Sequence, residues 1–405
     1  VSVVMASWSG RSARALRLAL RLSGDDFAAM LGVSGRGVSK WEASPATELA
    51  LRSQQLLDTA LSRADADVQA RFGKLVAVAE STALPTGSVD TATADCGAVL
   101  PDDDAYHPGP QLVASLRQSL HDYYLADNLL GPRVLMPVVR VFTGTVEHVR
   151  RGVTGRVLDE LLRVGARYAE LTGWLAHDAG DASAATGWYR QALEWAQCGG
   201  DLRMASFVLV RRSVQAAGQR DGGLAARLAI AAQRDASPGA GRVQAIAAQA
   251  EAVGHAIAGS ERETAAALGR ATTLAESAVD STADDPATGR YCEMPLHLAI
   301  TRATCHLELG RPTAAIEGFT AVLAVLPPHY HRDRGQYLAR LAHAHALAGQ
   351  PDEACRRAEE SLAIALTTGS SRTVTDLRET ARQLGPWARH AAVANLRAAL
   401  TLDGR

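Results

Sequence analysis

Aromatic side chains make up only 5% of this chain, cysteines number five in 405 residues, and the formal net charge is −1. Each scarcity excludes something. The cysteines at 96, 198, 292, 305 and 355 are scattered, odd in number and without a CxxC pair, so neither a disulfide framework nor a zinc knuckle is indicated. A reducing cytoplasm fits. No stretch reaches the roughly 20 apolar residues needed to span a bilayer, and the opening VSVVMA is far short of a secretory apolar region. A cytoplasmic chain with no membrane association is expected. With so little net charge the surface cannot be basic throughout, so any nucleic-acid contact has to come from a local cluster.

What is present is alanine, leucine and a 47% apolar content, the balance of helices packed through small side chains. The expected fold is all-α. From 11 to 75 apolar residues recur at spacings of three and four (Leu16, Ala19, Leu20; Phe27, Ala28, Leu31; Val38, Trp41; Leu49, Leu56, Leu57, Ala60, Leu61), which predicts a bundle of short amphipathic helices. The stretch 81–109 is rich in Ser, Thr, Pro, Gly and Asp with no period and reads as a flexible linker. From 110 to 405 helix follows helix.

That second region repeats. Gly173, Gly180, Ala185, Tyr189 and Ala192 are spaced as in tetratricopeptide repeats, and the frame returns at Ala303, Gly310, Ala315, Phe319, Val322 and Pro327, then at Ala342, Gly349 and Ala354. Weaker copies are anchored at Ala225 and Ala265. Small residues let paired helices approach closely, and stacking the pairs buries their remaining apolar sides. A tetratricopeptide-like α-solenoid with a concave face is expected, with a generic alanine-rich helical bundle as the plainer alternative.

In the first region, Gly32 can end one helix in the left-handed conformation and Ser34 can cap the next. Val38 and Trp41 then face inward, leaving Ser34, Gly35, Arg36, Ser39 and Lys40 outside. Arg36 could reach guanine O6 and N7, and Lys40 and Ser39 a base or a phosphate. Arg14, Arg17 and Arg21 lie along one helix face and suit phosphate contact, although such a stripe is commonly just solvated.

The stretch RLSGDDFAAMLGVSGRGVSKWE resembles the helix-turn-helix of the xenobiotic-response-element family, related to phage repressors and Cro. It departs from that pattern at Gly24, where Gln is common, at Gly37, where Thr is common, and at Ser44, where Gly is common. Joined to the repeats, this unit resembles cytosolic peptide-sensing regulators of Gram-positive bacteria and a large group of actinobacterial regulators. The resemblance implies a transcriptional regulator that binds double-stranded operator DNA as a homodimer, with a peptide, small molecule or protein partner sensed by the repeats. No cofactor is implied.

For that ligand, groove-facing positions of the repeat frame include Arg167, Glu170, Trp174, Asp178, His297, Glu308 and His343. Arg211 and Arg212, inside an otherwise apolar helix, suit a ligand carboxylate. Each of these could equally be paired or packed within the protein. The two HxH pairs, His329/His331 and His343/His345, point to different helix faces and lack companion carboxylates, so no metal site is expected. No GxSxG, P-loop or glycine-rich strand turn supports an enzyme. The competing reading is a repeat scaffold for protein interaction, with a helix-turn-helix that docks rather than reads.

Overall fold

The computed structural model describes residues 8–20, 22–43, 47, 49–65, 68, 69, 72, 109–234, 241–277 and 294–402. Residues 81–108 of the expected linker and Arg21 lie outside that set. Every regular element among the described residues is a helix. The chain forms two compact units, Val1–Asp95 and Cys96–Arg405.

The first unit contains α1 (Gly10–Ala19), α2 (Gly24–Leu31), α3 (Gly35–Ala43) and α4 (Leu51–Arg63). Leu16, Phe27, Val38 and Leu57 close its core, each contributing about 1.5–3 kcal/mol by burial. Trp41 is only half-buried. Part of the core comes from outside the apolar period: Trp8 stacks on Phe72 with ring centroids 5.3 Å apart, and its indole donates to Asp58 Oδ1 at 2.7 Å. A tryptophan needs that polar handle to be buried without loss.

The second unit is a succession of antiparallel helix pairs. Its helices are α5 (Pro110–Leu130), α6 (Pro132–Val149), α7 (Gly155–Asp178), α8 (Ala182–Cys198), α9 (Leu202–Gly218) and α10 (Gly222–Arg234). They continue as α11 (Gly241–Ile257), α12 (Glu261–Ser277), α13 (Met294–Glu308), α14 (Pro312–Val325), α15 (His331–Leu347), α16 (Pro351–Thr368), α17 (Ser371–Gln383) and α18 (Ala391–Leu402).

The repeat frame explains the packing. Ala185, Ala225, Ala315 and Ala354 are fully buried where paired helices touch, and a Cβ at Gly173 would strike the Tyr189 ring. The weak copy is out of register by one: Ala265 is exposed, and Thr264, five residues after the turn glycine Gly259, takes the buried position. Threonine fits because its Oγ1 donates to the Ser260 carbonyl, which hides the hydroxyl.

The turns between paired helices use left-handed residues: Gly180, Gly259, Gly310 and Gly349, and at the α9–α10 turn Arg220 at φ 64°. A non-glycine residue there carries about 1–2 kcal/mol of strain. The Arg220 ion pair with Glu308 offsets little, because the arginine is largely exposed. Arg220→Gly is therefore expected to raise the stability of the chain by up to about 1 kcal/mol in denaturant titration. A loss of stability would show that the Glu308 pair outweighs the strain.

The row of helices closes on itself. The first helices of the successive pairs, α7, α9, α11, α13, α15 and α17, each touch the next, α17 touches α7, and α5 touches α15. At the seam, Gly131 between α5 and α6 lies directly under the end of α16, so that a Cβ would come within 2.9 Å of the Thr368 carbonyl carbon. Nearby, a Cβ at Gly180 would meet that of Ser371 at 3.1 Å. The expected concave face is thus the inside of a closed ring.

Candidate functional site

Two regions combine chemistry with accessibility, one in each unit. In the first, Ser23 Oγ accepts from the Asp26 amide at 3.1 Å to start α2, and Gly32 at φ 69° ends it. Ser34 Oγ then accepts from the Gly37 amide at 3.1 Å to start α3. This geometry leaves Ser34, Arg36, Ser39 and Lys40 exposed on one side of α3, and Gly35 half-exposed. Neither Arg36 nor Lys40 has an ion-pair partner among the described residues. Both hydroxyls are already engaged: Ser34 accepts from the Gly37 amide and keeps its O–H to donate, whereas Ser39 donates to the Gly35 carbonyl at 3.0 Å and keeps an acceptor role.

Arg17, expected on a phosphate-facing stripe, is used inside the unit. Its Nε and Nη2 donate to the two oxygens of Glu42 at 2.7 and 2.9 Å, and its Nη1 to the Leu22 carbonyl at 3.0 Å. The fork ties α1 to α3 and fixes the angle at which α3 is presented. Gly35 also has a structural reason. A Cβ there would lie 2.8 Å from Asp25 Oδ1, so the glycine lets the carboxylate sit against the start of α3, where the helix dipole favours it.

In the second unit most of the expected ligand residues are engaged with neighbouring helices. Trp174 is 7% exposed and its indole donates to Asp127 Oδ2 at 3.0 Å. Arg211 Nε donates to Glu170 Oε1 at 2.5 Å, and Tyr124 donates to the other oxygen of Glu170 at 2.6 Å. Arg167 pairs with Asp201 at 3.4 Å. His297 Nδ1 meets Gln249 Oε1 at 2.8 Å, and burial pushes its pKa down to about 4, so the ring is neutral. His343 meets Thr380 at 3.5 Å. Arg212 is half-buried and forms no ion pair with a described residue. An open groove lined by free charges is therefore replaced by side chains that meet one another, because each first helix of the row packs closely enough on its neighbours for their polar groups to pair.

The meeting point is Trp174. The guanidinium carbons of Arg211, Arg372 and Arg332 lie 4.2, 4.9 and 5.2 Å from its ring centre, reaching it from α9, α17 and α15. Stacking three cations on one indole requires nearby anions. Arg332 Nη1 donates to both oxygens of Asp127 at 2.6 Å and Nη2 to Asp333 at 3.0 Å. Asp178 accepts from Ser370 at 2.8 Å and from Arg372 Nε at 3.1 Å. Asp178 is held below the usual carboxylate range by Arg332 and Arg372, which together overcome its burial, the largest single influence. His177, beside Trp174, has its pKa lowered to about 4, first by burial and then by Arg372.

Asp127, Arg332 and Arg372 carried no signal in the sequence. Asp127 and Arg332 are 205 residues apart, and their helices follow no repeat register that would mark them as partners.

The second unit is a tetratricopeptide-like helical-repeat domain, closed into a ring. No family model matches the chain, and no curated protein matches it. Among solved structures, the chain is similar to a Rap protein complexed with competence and sporulation factor, with a TM-score of 0.49 and 14% identity over 74% of this chain and 88% of that one. At that level of similarity no ligand or partner carries over.

Proposed function

We propose that the protein is a helical-repeat regulator whose ring-shaped second unit holds an effector or protein partner and whose first unit binds operator DNA. The observation that supports DNA binding is the α2–Gly32–α3 turn, capped by Ser34, with Arg36 and Lys40 unpaired among the described residues on the outer side of α3. A lone reading helix offers little contact area, so binding as a homodimer on paired half-sites is part of the proposal. Arg36→Ala is expected to weaken selective binding of the full chain by about 1–3 kcal/mol, and Lys40→Ala to weaken all sequences alike and lower the salt slope by about 1. Gel shifts over genomic fragments at several salt concentrations measure both. A full chain that selects no fragment, or an Arg36→Ala variant indistinguishable from the parent, removes this half of the proposal.

A second reading keeps the repeat unit as a protein-interaction scaffold and makes the first unit a docking module. It is favoured by Asp25 and Asp26, both exposed at the start of α2, where a DNA phosphate would otherwise approach the helix end. Failure of every fragment to bind, with the chain folded, selects it.

A further inference from the structure

Around Trp174 the acceptors are nearly all used and the donors are not. Glu170 accepts from Arg211 and Tyr124, Asp127 from Arg332 and Trp174, and Asp178 Oδ1 from Ser370 and Arg372. An arginine side chain offers five N–H groups. Arg211 and Arg372 each spend only Nε on a described residue, which leaves both terminal nitrogens of both guanidiniums without a described acceptor. The two side chains keep 19% and 17% exposure, so solvent reaches them. Tyr189, 0% exposed, packs its ring against Gly173, next to Trp174 in sequence, and its hydroxyl has no hydrogen-bond partner among the described residues and feels the charges of Arg211, Glu170, Arg372 and Asp178. His177 Nε2 is likewise buried without a hydrogen-bond partner, while Arg332 Nε and Asp178 Oδ2 face each other as an ion pair at 3.9 Å, beyond hydrogen-bond distance.

A buried tyrosine hydroxyl without a partner costs free energy, so a polar group that pairs with it beside the unused N–H groups is favoured there. We infer that Arg211 and Arg372, each clamped at Nε by a buried carboxylate and stacked on Trp174, form with the Tyr189 hydroxyl a binding site for an oxyanion, a carboxylate or a phosphate group. The clamps matter because they orient each guanidinium before the ligand arrives, so that its terminal edge meets two anion oxygens in parallel. The site lies where α7, α9 and α17 converge, so an anion there contacts both sides of the seam. This inference rests on the proposal that the repeat unit holds an effector and is independent of DNA binding.

The test is isothermal titration of the full chain with inorganic phosphate and, separately, with acetate. Saturable binding with Kd in the range of about 0.1–10 mM is expected for at least one of them. Phosphate alone binding identifies a phosphorylated effector as the source; acetate binding comparably identifies a carboxylate. Arg372→Lys and Arg211→Lys keep the charge but lose the two-pronged edge, and each is expected to weaken binding about 10-fold. Tyr189→Phe removes only the unpartnered hydroxyl and is expected to weaken binding about 3- to 10-fold while leaving the unliganded protein at least as stable. Neither anion binding, or binding unaffected by Tyr189→Phe and both lysine variants, overturns the inference. Gel shifts on the same preparations show whether DNA binding stands regardless.

Discussion

Arg332→Met is expected to lower the stability of the full chain by about 3–5 kcal/mol at pH 7, because it leaves the Asp127 carboxyl buried without its counterion. Asp127 is 3% exposed and receives two of its three hydrogen bonds from Arg332, the third coming from Trp174. Its other charged neighbours, Asp178 and Asp333, are both acidic and repel it. Burial already raises the Asp127 pKa against the pull of Arg332, so removing the arginine raises it further. The folded protein then holds a proton that the unfolded chain releases near its ordinary value of about 4. Stability of the variant falls as pH rises through that window, and is higher near pH 5 than at pH 7. Adding Asp127→Asn to Arg332→Met removes the buried charge and is expected to restore most of the loss. Urea titrations at the two pH values decide the matter: a variant equally stable at both, or no recovery in the double variant, would show that the pair is not what holds the seam.

Gly131→Ala is expected to cost at least about 3 kcal/mol, from two separate sources. At φ 68° and ψ −178° the residue lies in a backbone region that only glycine occupies freely, which accounts for about 1–3 kcal/mol. The added methyl would also overlap the Thr368 carbonyl, which is backbone at the end of α16 and cannot swing aside, for a further 1–3 kcal/mol or so. Gly152→Ala provides the control, since a Cβ there meets nothing within 4 Å. Denaturant midpoints that move equally for both variants would mean that the seam does not form as described. Faster proteolysis of the Gly131→Ala chain between α5 and α6 would agree with an opened seam.

Local features of the fold were readable because local chemistry fixes them. The Gly32 turn, the Ser34 cap and the buried alanines of the repeat frame each follow from a residue and its near neighbours. The one-residue error at Ala265 has a plain cause: the frame rewards small residues, and Thr264 becomes small in effect only once its hydroxyl turns back onto the Ser260 carbonyl. Trp8 lay before any periodic segment, so nothing in the pattern marked it as core.

Of the second site, Arg211 and Trp174 could be named from the sequence, the first as a charge within an apolar helix and the second from its place in the frame. Their partners could not. Asp127, Arg332 and Arg372 come together only when the superhelix has turned far enough for its last helices to reach its first, and that curvature is a sum of small rotations between pairs. No single residue encodes it.

An open stack of repeats behaves as a one-dimensional array, in which each unit is stabilised by its neighbours and the terminal units fray independently. Contact between α17 and α7 gives this array a cyclic boundary. Interior and terminal repeats become nearly equivalent, and a disturbance at one helix pair travels both ways around the circle. The number of repeats is then fixed by geometric closure, as it is in a propeller, and cannot drift as it does in an extended solenoid.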